Sequence, residues 1–299
     1  MADVREFVVR VASPDYVSSE VTQAHSGEFL GDALRFAAEN KVFSLFAEGC
    51  VKLDISLPKE ADLLTRELDL RRRAQLEAVT QLLDLSKKCN VDLMFFKTFR
   101  PFFYVPDDID LLVRDKRDLG VLCHALKSNG YRILKFGTPE VVLRKIGRGT
   151  YVDLDIHKSI AAGHLPLFTA DNLWRNLTYK SVADTDRIPV LSEPYEVVLE
   201  AAYSLLKDFM VSIPGLYLGI HAFMKNDLQI IRKIAEQENL LFHLDVFLEA
   251  TSFLINRYFG SAAGLDLKSG ERNVSTMCRR LLRTRPSGRT VMPFLYPIT

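Results

Sequence analysis

Two aspartates, two positions apart, are the first side chains in this sequence whose types and spacing could do chemistry. Asp108 and Asp110 lie within the apolar run 106–113. In a β-strand successive side chains point to opposite faces, so both carboxylates would share one face and the apolar residues the other. Neighbouring carboxylates at the edge of a core repel each other and lose hydration. A divalent cation removes both costs, and oxygen ligands suit Mg²⁺.

A second stretch, residues 151–157, repeats this arrangement. Asp153, Asp155 and His157 would share one face of a strand, and the apolar Val152, Leu154 and Ile156 would share the other. Two adjacent strands of this kind gather the ligands of a two-metal phosphoryl-transfer site, in which the ions lie about 3.5–4 Å apart. The alternative is a solvated edge strand, because an Asp-x-Asp spacing is common by chance.

A candidate phosphate contact precedes the first aspartate pair. The apolar residues 92–96 predict a strand buried on both faces. Lys97 and Thr98 follow directly, so an ammonium, a hydroxyl and the loop amides could bind a phosphate group there. An ordinary exposed strand end is the competing interpretation.

Composition restricts the class of protein only loosely. The 299 residues are 48% hydrophobic and 26% charged, with a formal net charge of +1. Such a balance is typical of a globular protein and gives no overall argument for nucleic acid or membrane as a partner. Without a long apolar run or a signal peptide, we expect a cytoplasmic protein with no membrane segment. The four scattered cysteines form no Cys-x-x-Cys pair, which disfavours a zinc site.

The hydrophobic periodicity predicts an α+β protein in three regions. Residues 1–69 are predicted to be mainly helical, although residues 6–11 are typical of a short strand. Residues 70–160 predict a core of helix, strand, strand, helix and three further strands, the last two joined as a hairpin. Residues 161–299 are predicted to be a helical region with a basic tail at 268–289. That tail is interpreted either as a solvated segment or as a contact for RNA or polyphosphate.

The order of strand, phosphate loop, Asp-Ile-Asp-Leu-Leu-Val, helix, hairpin and Val-Asp-Leu-Asp-Ile-His resembles the nucleotidyltransferase superfamily with the polymerase-β-type fold. More narrowly, it is similar to a poorly characterised prokaryotic family with a Lys-Gly strand end, an Asp-x-Asp-Leu-Leu-Val strand and an Asp-x-His strand. The resemblance covers roughly residues 28–250. It implies a small mixed β-sheet core flanked by helices.

The resemblance also implies a chemistry. Two Mg²⁺ ions would support transfer of a nucleoside monophosphate from an NTP, such as ATP, to an acceptor. Asp108, Asp110 and Asp155 would be the catalytic carboxylates and metal ligands, with Asp153 a rival for the third position. Lys97, Thr98 and His157 would contact the nucleotide, or His157 would orient Asp155. Thr98 stands where the family has Gly or Ser, and the loop to Asp108 is shorter than usual.

The acceptor and the oligomeric state are not specified by these residues. A small molecule, a protein hydroxyl and an RNA end all fit as acceptors. A different class of function, a non-catalytic nucleotide- or RNA-binding or partner-binding protein on the same fold, is the main alternative. A metal phosphohydrolase is a third possibility, but the sequence has no short His-x-His or Asp-x-x-Asp-His cluster to favour it.

Overall fold

The computed structural model of the chain describes residues 3–14, 26–137, 140–147, 149–162, 165–183, 185–208, 210–225 and 228–259. The basic tail at 268–289 and Cys278 lie outside this part. The helices are α1 (Val4–Val11), α2 (Gly27–Glu39), α3 (Phe43–Lys52), α4 (Glu60–Cys89), α5 (Lys116–Ser128), α6 (Ala170–Arg175), α7 (Glu193–Leu206), α8 (Ile213–Met224), α9 (Leu228–Gln237) and α10 (Leu241–Phe259). The strands are β1 (Leu93–Phe95), β2 (Asp108–Val113), β3 (Arg132–Phe136), β4 (Glu140–Gly147), β5 (Thr150–His157), β6 (Ala161–Ala162), β7 (Leu165–Pro166), β8 (Leu177–Val182) and β9 (Thr185–Leu191).

The chain is a mixed α and β protein with an open mixed sheet, as the sequence predicts. The strand order is β3-β4-β5-β2-β1-β9-β8. Two neighbouring pairs, β2 with β5 and β1 with β9, are parallel, and the other pairs are antiparallel. Since β2 and β5 are parallel, α5 and the β3–β4 hairpin carry the chain from the end of one strand back to the start of the other.

The main core lies on one face of this sheet. The inward residues of β2 and β5, including Ile109, Leu111, Leu154 and Ile156, are fully buried. They belong to one cluster with apolar side chains of α4 and α5, among them Leu82 and Leu122 on the two helices. Strand alternation therefore places the aspartates of both strands on the opposite face of the sheet, away from these helices.

The described residues form two compact units. One comprises residues 3–63, 101–104 and 197–259, and is helical. The other comprises residues 64–100 and 105–196, and contains the whole seven-stranded sheet. No helix in the described part of the chain is both long and apolar enough to cross a lipid bilayer.

The prediction of a strand at residues 6–11 is wrong, because this segment lies in α1. Asp3 caps the helix by accepting a hydrogen bond from the Arg5 amide at 2.9 Å. Phe7 packs edge-to-face against Phe29 and Phe46, with ring centroids 5.2 and 5.7 Å away. Valine favours strands when it fits a sheet surface. Here the cap and the helical neighbours decide the conformation instead.

The structure also differs from the predicted helical region that begins at residue 161. Four strands lie between residues 161 and 191, and two of them, β8 and β9, extend the main sheet. The three-residue strand β1 needs a partner on its second edge, and β9 supplies it in parallel at the pair Phe95 and Val190. This pairing joins residues far apart in sequence, so local periodicity does not reveal it.

Candidate metal centre

The aspartates come together because β2 and β5 pair in parallel and in register. Asp108 lies opposite Asp153, and Asp110 lies opposite Asp155. Partners in a ladder point to the same face, so the polar sides of both strands form one surface. His157 is opposite Leu112, one pair further along the same face. The two motifs that the sequence analysis singled out are therefore neighbours in space.

Three of these side chains form a compact group. The ligand atoms of Asp110, Asp155 and His157 all lie within 4.8 Å of one another. Asp110 and His157 are buried, whereas Asp155 is partly buried. Two carboxylate oxygens and an imidazole nitrogen are a donor set that divalent cations accept. Asp108 lies one alternate position before Asp110 and is partly buried.

The electrostatics of the group also favour a cation. Burial and the neighbouring charges of Asp108 and Asp110 raise the pKa of Asp155 from 3.8 to about 7, while His157 acts in the opposite direction. Carboxylates held this close without a counter-charge share their protons. A divalent ion between them would remove the repulsion and return Asp155 to its ionised form.

His157 is oriented by its surroundings. Its Nε2 atom lies 3.2 Å from Oδ1 of Asp110, and the ring packs edge-to-face against Phe96 at 5.0 Å. Its buried Nδ1 atom has no hydrogen-bond partner among the described residues, but Oε2 of Glu140 lies 3.9 Å away. The imidazole can therefore act as a ligand or hold Asp110 in place. Sequence reasoning missed Glu140, which only the pairing of β4 with β5 brings opposite His157.

Lys97 occupies a tight turn at the end of β1. The Thr98 amide donates to the Phe96 carbonyl at 2.7 Å, and Lys97 between them has a φ of 58°. A positive φ is costly for a residue with a side chain, so other contacts must hold it. The Lys97 amide donates to Oε1 of Glu196 at 2.7 Å. The Lys97 ammonium lies 3.9 Å from Oδ2 of Asp110, and its side chain is 24% exposed.

The Thr98 hydroxyl makes hydrogen bonds with backbone groups of the protein. It accepts a hydrogen bond from the Asp110 amide at 3.1 Å, and it lies 3.2 Å from the Phe96 carbonyl. The side chain is buried. Thr98 therefore ties the turn to β2 and sets the position of Asp110. A phosphate contact donated by this hydroxyl, as the resemblance implies, would require the bond to the Phe96 carbonyl to be broken.

Glu196 and Arg100 support the same turn, and sequence reasoning missed both. Nη1 of Arg100 lies 3.5 Å from Oε2 of Glu196, and the two side chains are 5% and 9% exposed. A buried arginine–carboxylate pair holds its geometry well, because both charges lose more if they separate. Glu196 thus connects the start of α7 to the Lys97 turn. No local signal marks this, since Glu196 is remote in sequence from both partners.

Asp153 has a different partner from the three grouped side chains. Arg144 of β4 donates two hydrogen bonds to its carboxylate, both at 2.7 Å. The guanidinium also stacks on Tyr151, with Cζ 4.1 Å from the ring centroid. Of the two rivals for the third carboxylate, the structure thus brings Asp155 into the group with Asp110 and holds Asp153 on Arg144.

A search with this sequence matched no protein-family model and no curated protein. The nucleotidyltransferase resemblance accordingly stays an expectation. The function has to be inferred from the chemistry and geometry of the site.

Proposed function

We propose that this protein is a metal-dependent nucleotidyltransferase that moves a nucleoside monophosphate from an NTP to a hydroxyl or phosphate acceptor. The observation that carries the proposal is the in-register parallel pairing of β2 and β5. That pairing places Asp110, Asp155 and His157 with their ligand atoms within 4.8 Å of one another. Carboxylates converging from two adjacent strands are the ligand arrangement that two-metal phosphoryl transfer uses.

Each residue has a role in this proposal. Asp108 and Asp110 would hold the Mg²⁺ ions, and Asp155 would either complete the ligands or accept the proton of the attacking group. When bound, Mg²⁺ would lower the pKa of the acceptor hydroxyl and offset the charge of the leaving pyrophosphate. The partly exposed Lys97 ammonium, beside Asp110, is placed to contact a phosphate oxygen. His157 would keep Asp110 oriented.

The transfer is an in-line displacement at the α-phosphorus. The acceptor oxygen forms a bond to phosphorus, and the bond from phosphorus to the pyrophosphate oxygen breaks. The acceptor proton passes to Asp155 or to solvent. The protein contributes mainly by positioning the groups and stabilising charge.

Calorimetric titration of each NTP, with and without Mg²⁺, tests the proposal. We expect binding that requires the metal and that is lost in the double variant Asp108→Ala/Asp110→Ala. The matched control is Asp62→Ala/Asp69→Ala, which removes two exposed carboxylates from α4. If no NTP binds to the wild-type protein in the presence of Mg²⁺, the nucleotidyltransferase proposal is wrong.

A second candidate is a nucleotide-binding protein without transfer activity. It is favoured by the contacts of Asp110, whose carboxylate already lies close to the Lys97 ammonium and the His157 ring. Internal neutralisation of this kind reduces the need for a cation. NTP binding without pyrophosphate release, across a panel of acceptors and whether or not Mg²⁺ is present, would support this candidate. Release of inorganic phosphate alone would instead indicate a hydrolase.

A further inference from the structure

The sheet-containing unit has a cleft that lies apart from the candidate metal centre and is lined by different residues. Its volume is about 770 Å³. It is lined by the last turns of α4, the start of β1, the residue after β2, and residues of α6, β8 and β9. None of the carboxylates of the candidate metal centre lines it.

The lining of this cleft has an excess of positive charge. Four cations contribute to it, namely Lys87, Arg114, Arg175 and Arg187, against two carboxylates, Asp92 and Asp171. Asp92 accepts a hydrogen bond from Arg114 at 3.1 Å, and this pair takes up one charge of each sign, which leaves three cations against Asp171. Both members of that pair remain more than half exposed, at 65% and 61%. The cleft therefore attracts anions, although the whole chain is almost neutral.

Aromatic rings are interleaved with these cations. Arg114 lies over Trp174 with Cζ 5.7 Å from the ring centroid, and Arg187 lies over Tyr179 at 4.9 Å. Tyr179 is 53% exposed. The cleft thus repeats one unit twice, a guanidinium beside an aromatic ring. Each unit offers a charge for a phosphate and a surface on which a base can stack.

The backbone around Arg187 departs from regular strand geometry. Arg187 has a φ of 57°, and the ladder of β8 with β9 shifts register between Lys180 and Val182. Irregularities of this kind re-aim side chains at the edge of a sheet. A long arginine side chain in the left-handed region is also costly, and such strain is often found at ligand contacts.

We propose that this cleft binds single-stranded nucleic acid, with the arginines on the phosphates and Trp174 and Tyr179 stacked on successive bases. A single strand repeats phosphate and base as the cleft repeats cation and ring, whereas a duplex hides its base faces. The inference goes beyond the nucleotidyl-transfer proposal and does not depend on it. It concerns different residues, and it needs neither a metal nor an NTP.

Trp174 makes the test specific, because it is the single tryptophan of the chain. The full-length protein is titrated with oligouridylate of about twelve nucleotides, within the usual site size of a single-strand binding groove. EDTA is present and NTP is omitted. We expect saturable quenching of the tryptophan emission. The affinity should fall roughly 20- to 50-fold when salt rises from about 50 to about 200 mM, as expected for three or four phosphate contacts to a single strand.

Variants assign the binding to the cleft. Arg114→Gln/Arg187→Gln should lower the affinity for oligouridylate, measured by tryptophan quenching, by about tenfold or more. The control Arg66→Gln/Arg73→Gln removes two exposed arginines from α4 outside the cleft. This control should leave the affinity for oligouridylate nearly unchanged. Circular dichroism verifies that both variants fold.

Three results would overturn the inference. Oligonucleotide binding detected by anisotropy without any change in Trp174 emission would place the nucleic acid elsewhere, for example on the basic tail at 268–289. Equal quenching by free UMP or inorganic phosphate at the same concentration would indicate a small-anion site. Equal affinity for duplex RNA would rule out recognition of a single strand. Because EDTA is present throughout, none of these outcomes bears on the metal centre.

Discussion

Asp110 is the residue on which most of the candidate site depends. Its amide is held by Thr98, one carboxylate oxygen lies beside His157, and the other faces the Lys97 ammonium. Its partner in the sheet is Asp155. A carboxylate fixed on every side loses little entropy when a ligand binds, so its geometry can be exploited for charge stabilisation.

The variant Asp110→Asn should lower turnover by roughly two to three orders of magnitude, the scale for loss of one charge-stabilising group. The amide has nearly the shape of the carboxylate, so the fold should be kept. Pyrophosphate release measures turnover, and circular dichroism monitors the fold. The control Asp107→Asn changes an exposed carboxylate three residues earlier, which pairs with Arg71. Full turnover in Asp110→Asn would contradict the assignment.

Asp155 should make the metal-free protein less stable as the pH rises. Burial and the charges of Asp108 and Asp110 raise the pKa of Asp155 to about 7, from 3.8. Between these two values the folded protein keeps a proton that the unfolded chain releases. Stability therefore decreases with rising pH across this window, and the penalty is complete above about pH 7.

The measurement for this effect is the melting temperature in EDTA at about pH 5 and about pH 8, on either side of the folded pKa. Asp155→Asn cannot ionise, so its melting temperature should fall less than that of the wild-type protein. A variant with the same pH dependence as the wild type would show that Asp155 does not carry the effect.

The element that positions the site is the turn between β1 and the loop that leads to β2. Lys97 adopts a positive φ there, and Thr98 bonds to the backbone of Asp110. The buried pair of Glu196 and Arg100 braces the turn through the Lys97 amide. In the family that this sequence resembles, glycine or serine stands at the position of Thr98. Here the Thr98 hydroxyl accepts a hydrogen bond from the Asp110 amide.

Thr98→Val should lower the free energy of unfolding by about 1–3 kcal/mol, since it leaves the buried Asp110 amide without an acceptor. Thr98→Ser keeps the hydroxyl and should cost less. Urea denaturation of the two variants measures the difference. If Thr98→Val, which keeps the methyl group and loses only the hydroxyl, is no less stable than Thr98→Ser, the hydrogen bond to the Asp110 amide does not contribute this stability.

For the molecule as a whole, the candidate metal centre lies in the unit formed by residues 64–100 and 105–196. Mg²⁺ or Mn²⁺ should raise the melting temperature, because a ligand that binds only the folded state stabilises it, by about 2.7 kcal/mol at one hundred times its Kd. Hydrogen exchange should show added protection in β2, β5 and the Lys97 turn. An equal effect in Asp110→Asn/Asp155→Asn would place the bound metal elsewhere.

Much of the fold could be predicted from the sequence where the pattern is local. Helix α5, the β4–β5 hairpin and the apolar strand β1 follow from periodicity and turn residues, and they occur close to the predicted positions. The predictions failed where distant partners decide. Residues 6–11 are helical because of their neighbours, and β8 and β9 join the sheet because β1 has an open edge.

The sequence by itself determined that two strands each carry carboxylates on one face and apolar side chains on the other. Side-chain alternation is a property of the strand alone, so residue order is sufficient for that. Only the tertiary structure decided that β5 lies parallel to β2 and that Asp155 rather than Asp153 joins Asp110. It also decided that Glu140 lies near His157 and that Glu196 accepts a hydrogen bond from the Lys97 amide. These contacts depend on strand order and register, which are fixed by burial of the common core and not by any local pattern.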